Sequence, residues 1–200
     1  MRHSRRTTRC TTRGKHAATL PVATAMVGAA AWLLPRAERD YEERGRLSPE
    51  ASVVGWALYL AHAALTLTVS WRSFRSLPTG KRLSEVFGAA ATLSGLAFYA
   101  AGVREFRSFE QVSGVEKGNL VKTGPYRYSR NPQVVGWGLT LLGAALAGRS
   151  AKALVSVATF FAVHRSYFGI EERHLERAFG GEYRSYQERA SRWLGPPGGG

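Results

Sequence analysis

Two adjacent carboxylates, Glu171 and Glu172, follow directly on an apolar run, and 40 residues before Glu171 lies the helix-start signal Asn131-Pro132. Asn is a favoured helix cap, and proline suits the first helical position because its missing N–H has no partner there anyway. A helix N-terminus with free N–H groups attracts a carboxylate. A glutamate can receive an ammonium or sugar hydroxyls. Neighbouring helical positions point about 100° apart, so one of the two glutamates faces a ligand directly. Arg127, Arg130 and Arg165 can each hold an anion bidentately. Tyr126 and Tyr128 can wall a flat ring or simply pack. His164 shares a helical face with Phe168, Glu171 and Leu175, which can bring it to the same site; a buried, satisfied histidine is the simpler reading.

These groups need two apolar helices to bring them together. Val134–Gly148 and Ala151–Gly169 fit an antiparallel hairpin, which returns both polar ends to one side of a membrane. The first arm is short, about 24 Å for about 16 residues against a hydrocarbon core of about 30 Å. Gly136, Gly138 and Gly143 thin one side of it, for packing or for a ligand. Ahead of the hairpin, Ala17–Leu34 ends at Pro35, Ser52–Trp71 is long enough to cross a bilayer, and Val86–Val103 is rich in small residues that let helices approach. His62 sits mid-span, where a bond to a neighbouring helix is expected. Residues 104–129 read as a loop with short turns broken by Gly114, Gly118 and Gly124-Pro125. Leu175, Phe179, Tyr183, Tyr186 and Trp193 recur near helical spacing, as in an amphipathic surface helix with Trp193 as an interfacial anchor. The expectation is an all-α, multi-pass bundle of about five transmembrane helices. It divides into a disordered basic tail (1–16), N-terminal transmembrane helices (17–105), a catalytic region (106–194) and a disordered end (195–200).

The C-terminal half resembles a known family. Gly124-Pro125-Tyr126, Arg130-Asn131-Pro132, Gly136, Glu171-Glu172 with Leu175, Phe179-Gly180, Tyr183, Tyr186 and Arg192-Trp193-Leu194 are similar to the isoprenylcysteine carboxyl methyltransferases and phospholipid methyltransferases. Where that family has Arg-His-Pro-x-Tyr, this chain has Arg130-Asn131-Pro132-Gln133-Val134. The resemblance implies S-adenosylmethionine as cofactor and a lipid-like or isoprenylated methyl acceptor, modified at a carboxyl oxygen or a headgroup amine. It puts Gly124, Pro125, Tyr126, Asn131, Pro132, Gly136, Glu171 and Glu172 around the cofactor, and Arg130, Glu171 and Glu172 in catalysis. Membrane sterol or enone reductases that use NADPH share the pattern, so a reductase stays open, as does a non-catalytic protein that keeps the fold.

Bulk properties narrow the classes. The net charge of +14 is concentrated in blocks beside apolar runs, which suits an anionic membrane surface. The basic tail has no interleaved aromatics for stacking on bases, so no nucleic-acid partner is expected. The one cysteine, Cys10, permits no intrachain disulfide, and the five histidines show no metal-ligand spacing, so no metal is expected. With five spans, sixteen basic residues fall on the side of the glutamates and twelve on the other. The positive-inside rule then turns the catalytic mouth to the cytoplasm, although the basic tail argues the other way. Ala, Arg and Gly richness points to a GC-rich bacterial genome, and so a bacterial plasma membrane is the expected location.

Overall fold

The computed structural model describes residues 19–72 and 77–197, with side chains from Met26 onward; the basic tail and residues 198–200 lie outside them. Seven α-helices occur among the described residues: α1 (Thr19–Arg44), α2 (Pro49–Arg72), α3 (Lys81–Val103), α4 (Phe109–Val112), α5 (Pro132–Ala147), α6 (Ala151–Phe179) and α7 (Gly181–Arg189). A 3₁₀ turn at Gly124–Arg127 precedes α5, and no strand is present among these residues. The membrane helical bundle is borne out. Three helices, α2, α3 and α6, are long and apolar enough to cross a bilayer. The apolar α5 is short, with 16 residues, and α1 carries its charges in its second half.

α3 and α5 form the tightest contact in the molecule. Gly88 lies against Gly143 and Ala147, Gly95 against Gly136 and Thr140, and Gly102 against Pro132, so the two helices run antiparallel. A methyl group at Gly95 would come within 2.5 Å of the Gly136 carbonyl oxygen, and one at Gly136 within 2.5 Å of the Tyr99 nitrogen. The small residues thus bring backbone to backbone, as membrane helices do without a hydrophobic driving force. The outer face of α3 presents Val86, Phe87 and Leu93 to the surroundings, as lipid requires.

Two sequence expectations are corrected. α1 does not stop at Pro35 but continues to Arg44. The ring removes one helical donor, yet the turns beyond are held independently. Arg36 and Arg44 flank Asp40 at 3.5 and 3.7 Å, and Ala37 and Tyr41 are buried with Ile170 and Leu47. Asp40 also accepts from the Ser48 backbone N–H at 2.9 Å and the Ser48 hydroxyl at 2.5 Å, closing the turn to α2. Arg173–Glu38 (2.6 Å) and Arg177–Glu42 (3.1 Å) tie this half of α1 to the end of α6.

The second correction concerns α6, which runs unbroken through both glutamates to Phe179. Gly180, at φ +51°, then turns the chain into α7. This helix is amphipathic, but its aromatic face packs inward: Tyr183 and Tyr186 are buried with Tyr126, and the Tyr186 hydroxyl donates to the Tyr126 carbonyl at 2.8 Å. Trp193 likewise meets Phe168 and Phe161, at 4.9 and 5.5 Å between ring centroids. At the start of the segment expected to be disordered, the Gly195 N–H donates to the Tyr128 carbonyl at 3.0 Å.

Loops gather at both ends of the bundle. On the glutamate side the turn after α1 bonds to the connector (Leu47 N–H to Gly114 O, 2.8 Å). At the far side Leu77 N–H donates to Arg149 O at 2.9 Å.

Candidate active site

A cavity of about 1520 Å³ runs along the bundle between α1, α2, α5 and α6. Its deep walls are apolar, including Leu33, Leu58, Leu65, Val155 and Val163, and its polar end collects Arg130, Asn131, Gln133, Glu171 and Glu172. The sequence expected two apolar walls and one polar mouth; α1 and α2 supply walls that the hairpin alone could not.

At the mouth the two glutamates have different duties. Glu172 is spoken for: Arg192 donates to it through Nε at 2.9 Å and a terminal nitrogen at 2.5 Å, and Arg130 approaches at 3.2 Å. Glu171 also lines the cavity, yet has no hydrogen-bond or ion-pair partner among the described residues. One carboxylate is structural and its neighbour is free. Around Glu171 stand three tyrosines. Tyr41 and Tyr167 bond to each other at 3.0 Å between hydroxyls. Tyr126 has its phenol pushed well above the ordinary value, first by burial and then by the charge of Glu171, so it remains a donor.

Arg130 and Asn131 are fixed by the segment that follows α7. Arg130 N–H donates to Ser191 O at 2.8 Å, Asn131 Nδ2 donates to Arg192 O at 3.0 Å, and Gly195 closes on Tyr128. Asn131 is the N-cap residue by position, but its side chain makes no cap bond, having been drawn to Arg192 instead. The first turn of α5 therefore keeps free donors beside Gln133 and Val134, both of which line the cavity. Arg130 Nε is buried without a partner, a donor still available to an anion.

The other expected site residues lie outside the cavity. Gly124, at φ +53°, packs on Glu105, and the Pro125 carbonyl accepts from Tyr128 and Ser129; together they shape the turn that presents Tyr126. Pro132 is buried against Gly102. Gly136 is sealed between α5 and α3, where any side chain would strike backbone, so the helix contact alone requires a glycine there. Arg127 and Arg165 are exposed and away from the cavity. His62 meets the expectation of a satisfied group: its Nε2 lies 3.0 Å from Ser156 O across the helix contact. Sequence reasoning missed Arg192 as the partner of Glu172, although the Arg192-Trp193-Leu194 motif marked it. It also missed Tyr41, 126 residues from Tyr167, for which no local signal exists. Among the described residues no cluster of His, Cys, Asp or Glu could hold a metal ion.

The model of the phospholipid methyltransferase family matches residues 83–182, which include α3, the connector, α5, α6 and both glutamates. No curated protein and no solved structure matches the chain. The chain belongs to the phospholipid methyltransferase family, and is a membrane methyltransferase.

Proposed function

We propose that this member of the phospholipid methyltransferase family binds S-adenosylmethionine at the mouth and passes its methyl group to a lipid-like or isoprenylated acceptor lying in the cavity. The observation that carries this reading is the contrast between Glu172, saturated by two arginines, and Glu171, unpaired beside it. The cofactor's amino-acid end bears an ammonium, which suits Glu171, and a carboxylate, which suits the free Nε of Arg130 and the uncapped start of α5. The group supplies an electrophilic methyl on a cationic sulfur. The protein's part is positioning and electrostatics. Glu172 holds Arg130 and Arg192 in place, and the Tyr126 hydroxyl can donate to an acceptor atom at the mouth. Apolar walls exclude water, which strengthens charge interactions inside. The catalytic mouth faces the cytoplasm, where the cofactor is made, and the protein sits in a bacterial plasma membrane.

Calorimetric titration of the detergent-purified protein with S-adenosylhomocysteine tests this. Saturable binding is expected, lost at least a hundredfold in Glu171→Gln with the melting temperature unchanged. Glu172→Gln should instead lower the melting temperature, because it leaves two arginines uncompensated. No binding by the wild-type protein, or equal binding by Glu171→Gln, would end the assignment.

A further inference from the structure

Seven residues before Glu171 on α6, two turns and about 10 Å deeper on the same face, His164 lines the same cavity. Its Nδ1 lies 2.8 Å from the Phe160 carbonyl oxygen of its own helix. A carbonyl can only accept, so Nδ1 carries the proton, and Nε2 of the neutral ring is a bare acceptor. No partner for Nε2 occurs among the described residues. Aromatic neighbours hold the ring from three sides: Phe160 at 4.0 Å between centroids, and Tyr59 and Phe168 at 6.2 Å each. His62 makes an instructive contrast. Its Nε2–H is spent on Ser156, and its other nitrogen is fully enclosed. His164 thus has its tautomer fixed, its orientation fixed, and one basic nitrogen left over on a cavity wall.

We infer that His164 is a catalytic residue: its Nε2 accepts the proton of the methyl acceptor, which is therefore an amine or hydroxyl rather than a carboxylate. A carboxylate nucleophile has no proton to lose and gives a lone-pair nitrogen nothing to bond. An amine fills both needs. Its nitrogen lone pair forms the new C–N bond while the C–S bond breaks with its electron pair onto sulfur, leaving a neutral thioether. The N–H proton of the methylated nitrogen passes to Nε2, and His164 leaves the step as an imidazolium. A hydroxyl reacts in the same way, with a C–O bond formed. Among headgroup chemistries this selects amine-bearing lipids and lipid-soluble alcohols or phenols, and excludes acids. The inference rests on the cofactor assignment above.

The test separates the two. Detergent-purified protein is first titrated with S-adenosylhomocysteine; failure to bind overturns the cofactor assignment and this inference with it. With binding established, labelled methyl transfer is followed to dioleoylphosphatidylethanolamine, to a long-chain phenol and to N-acetyl-S-farnesylcysteine, which offers a carboxylate. Transfer to the amine or the phenol is expected. His164→Ala should lower that kcat by about 10²–10⁴-fold, leave the affinity for S-adenosylhomocysteine intact, and regain activity when imidazole is added. Independently of turnover, the ¹⁵N resonance of His164 Nε2 should shift when the reactive acceptor is added to protein saturated with S-adenosylhomocysteine. If His164→Ala misfolds, His164→Gln and the ¹⁵N shift decide. Transfer to the carboxylate alone, transfer to none of the three by a protein that binds the cofactor product, undiminished turnover in the variant, or an unmoved resonance would each overturn the inference.

Discussion

The two sides of this bundle are built on opposite plans. α3 and α5 meet through glycines with no room between them, whereas α2 and α6 border a cavity and meet beside it through side chains, Ala63 and Tyr59 on Phe160 and His62 and Thr66 on Ser156. The first plan yields position: α3 sets where α5 starts, and the segment after α7 holds Arg130 and Asn131 at that start. The second plan yields space for an apolar guest. The proposed function, a polar cofactor at the mouth and an apolar acceptor in the cavity, would need both, and the two plans fall to different helix pairs.

The largest expected effect attacks the close-packed side. Gly95→Leu places a side chain where even a methyl would meet backbone at 2.5 Å, so α3 and α5 must separate. Loss of a cooperative thermal transition and of cofactor binding together is expected; a folded, active Gly95→Leu protein would show that this contact does not position the site. A smaller and more selective effect is expected on the open side. Thr159 is an exposed residue on the cavity wall, and Thr159→Trp fills space without touching the mouth. The acceptor KM should rise about tenfold, equivalent to about 1.4 kcal/mol, with the affinity for S-adenosylhomocysteine unchanged. An unchanged acceptor KM would mean that the acceptor lies elsewhere.

The smallest effect concerns the polar anchoring of α1, which walls the open side. Burial alone would raise the Asp40 carboxyl, but the two Ser48 bonds and the charges of Arg36 and Arg44 outweigh it and hold it below its ordinary value. Its contribution is therefore present above the unfolded-state value, near pH 4, and is lost as pH falls through the lower folded-state value. Asp40→Asn, which keeps an acceptor oxygen for Ser48, should cost about 1 kcal/mol at pH 7 and flatten the fall in melting temperature below pH 4. A variant that keeps the wild-type acid sensitivity would assign that sensitivity to other carboxylates.

Much of this arrangement is legible in the sequence. Apolar run lengths give the helices, Asn131-Pro132 marks the start of α5, and the double glutamate marks the mouth. Physics that acts over long separations is not legible. Periodicity shows that Glu171 and Glu172 diverge but cannot say which one Arg192 claims, 20 residues on. Pro35 is a local stop signal overridden by Asp40, Arg36, Arg44 and the packing of Tyr41, none of which is visible from position 35. Gly136 carries the same ambiguity: a glycine required by a neighbouring backbone and one required by a ligand look alike in a sequence, and only the antiparallel register with Gly95 and Tyr99 separates them.

The length of α6 has one more consequence. Its 29 residues extend about 43 Å, against a hydrocarbon core of about 30 Å. With Ala151 at the far face, the helix clears the core near residue 171. Glu171 then stands at the boundary between two reservoirs. In the proposed reaction one reagent would arrive from three-dimensional solution and be counted in moles per litre; the other would arrive within a two-dimensional sheet and be counted as a mole fraction of lipid. Diluting the vesicles at constant lipid composition leaves the second supply untouched, while diluting the acceptor with inert lipid cuts it at constant bulk concentration. The rate of such an enzyme is therefore governed by membrane composition as directly as by any soluble concentration.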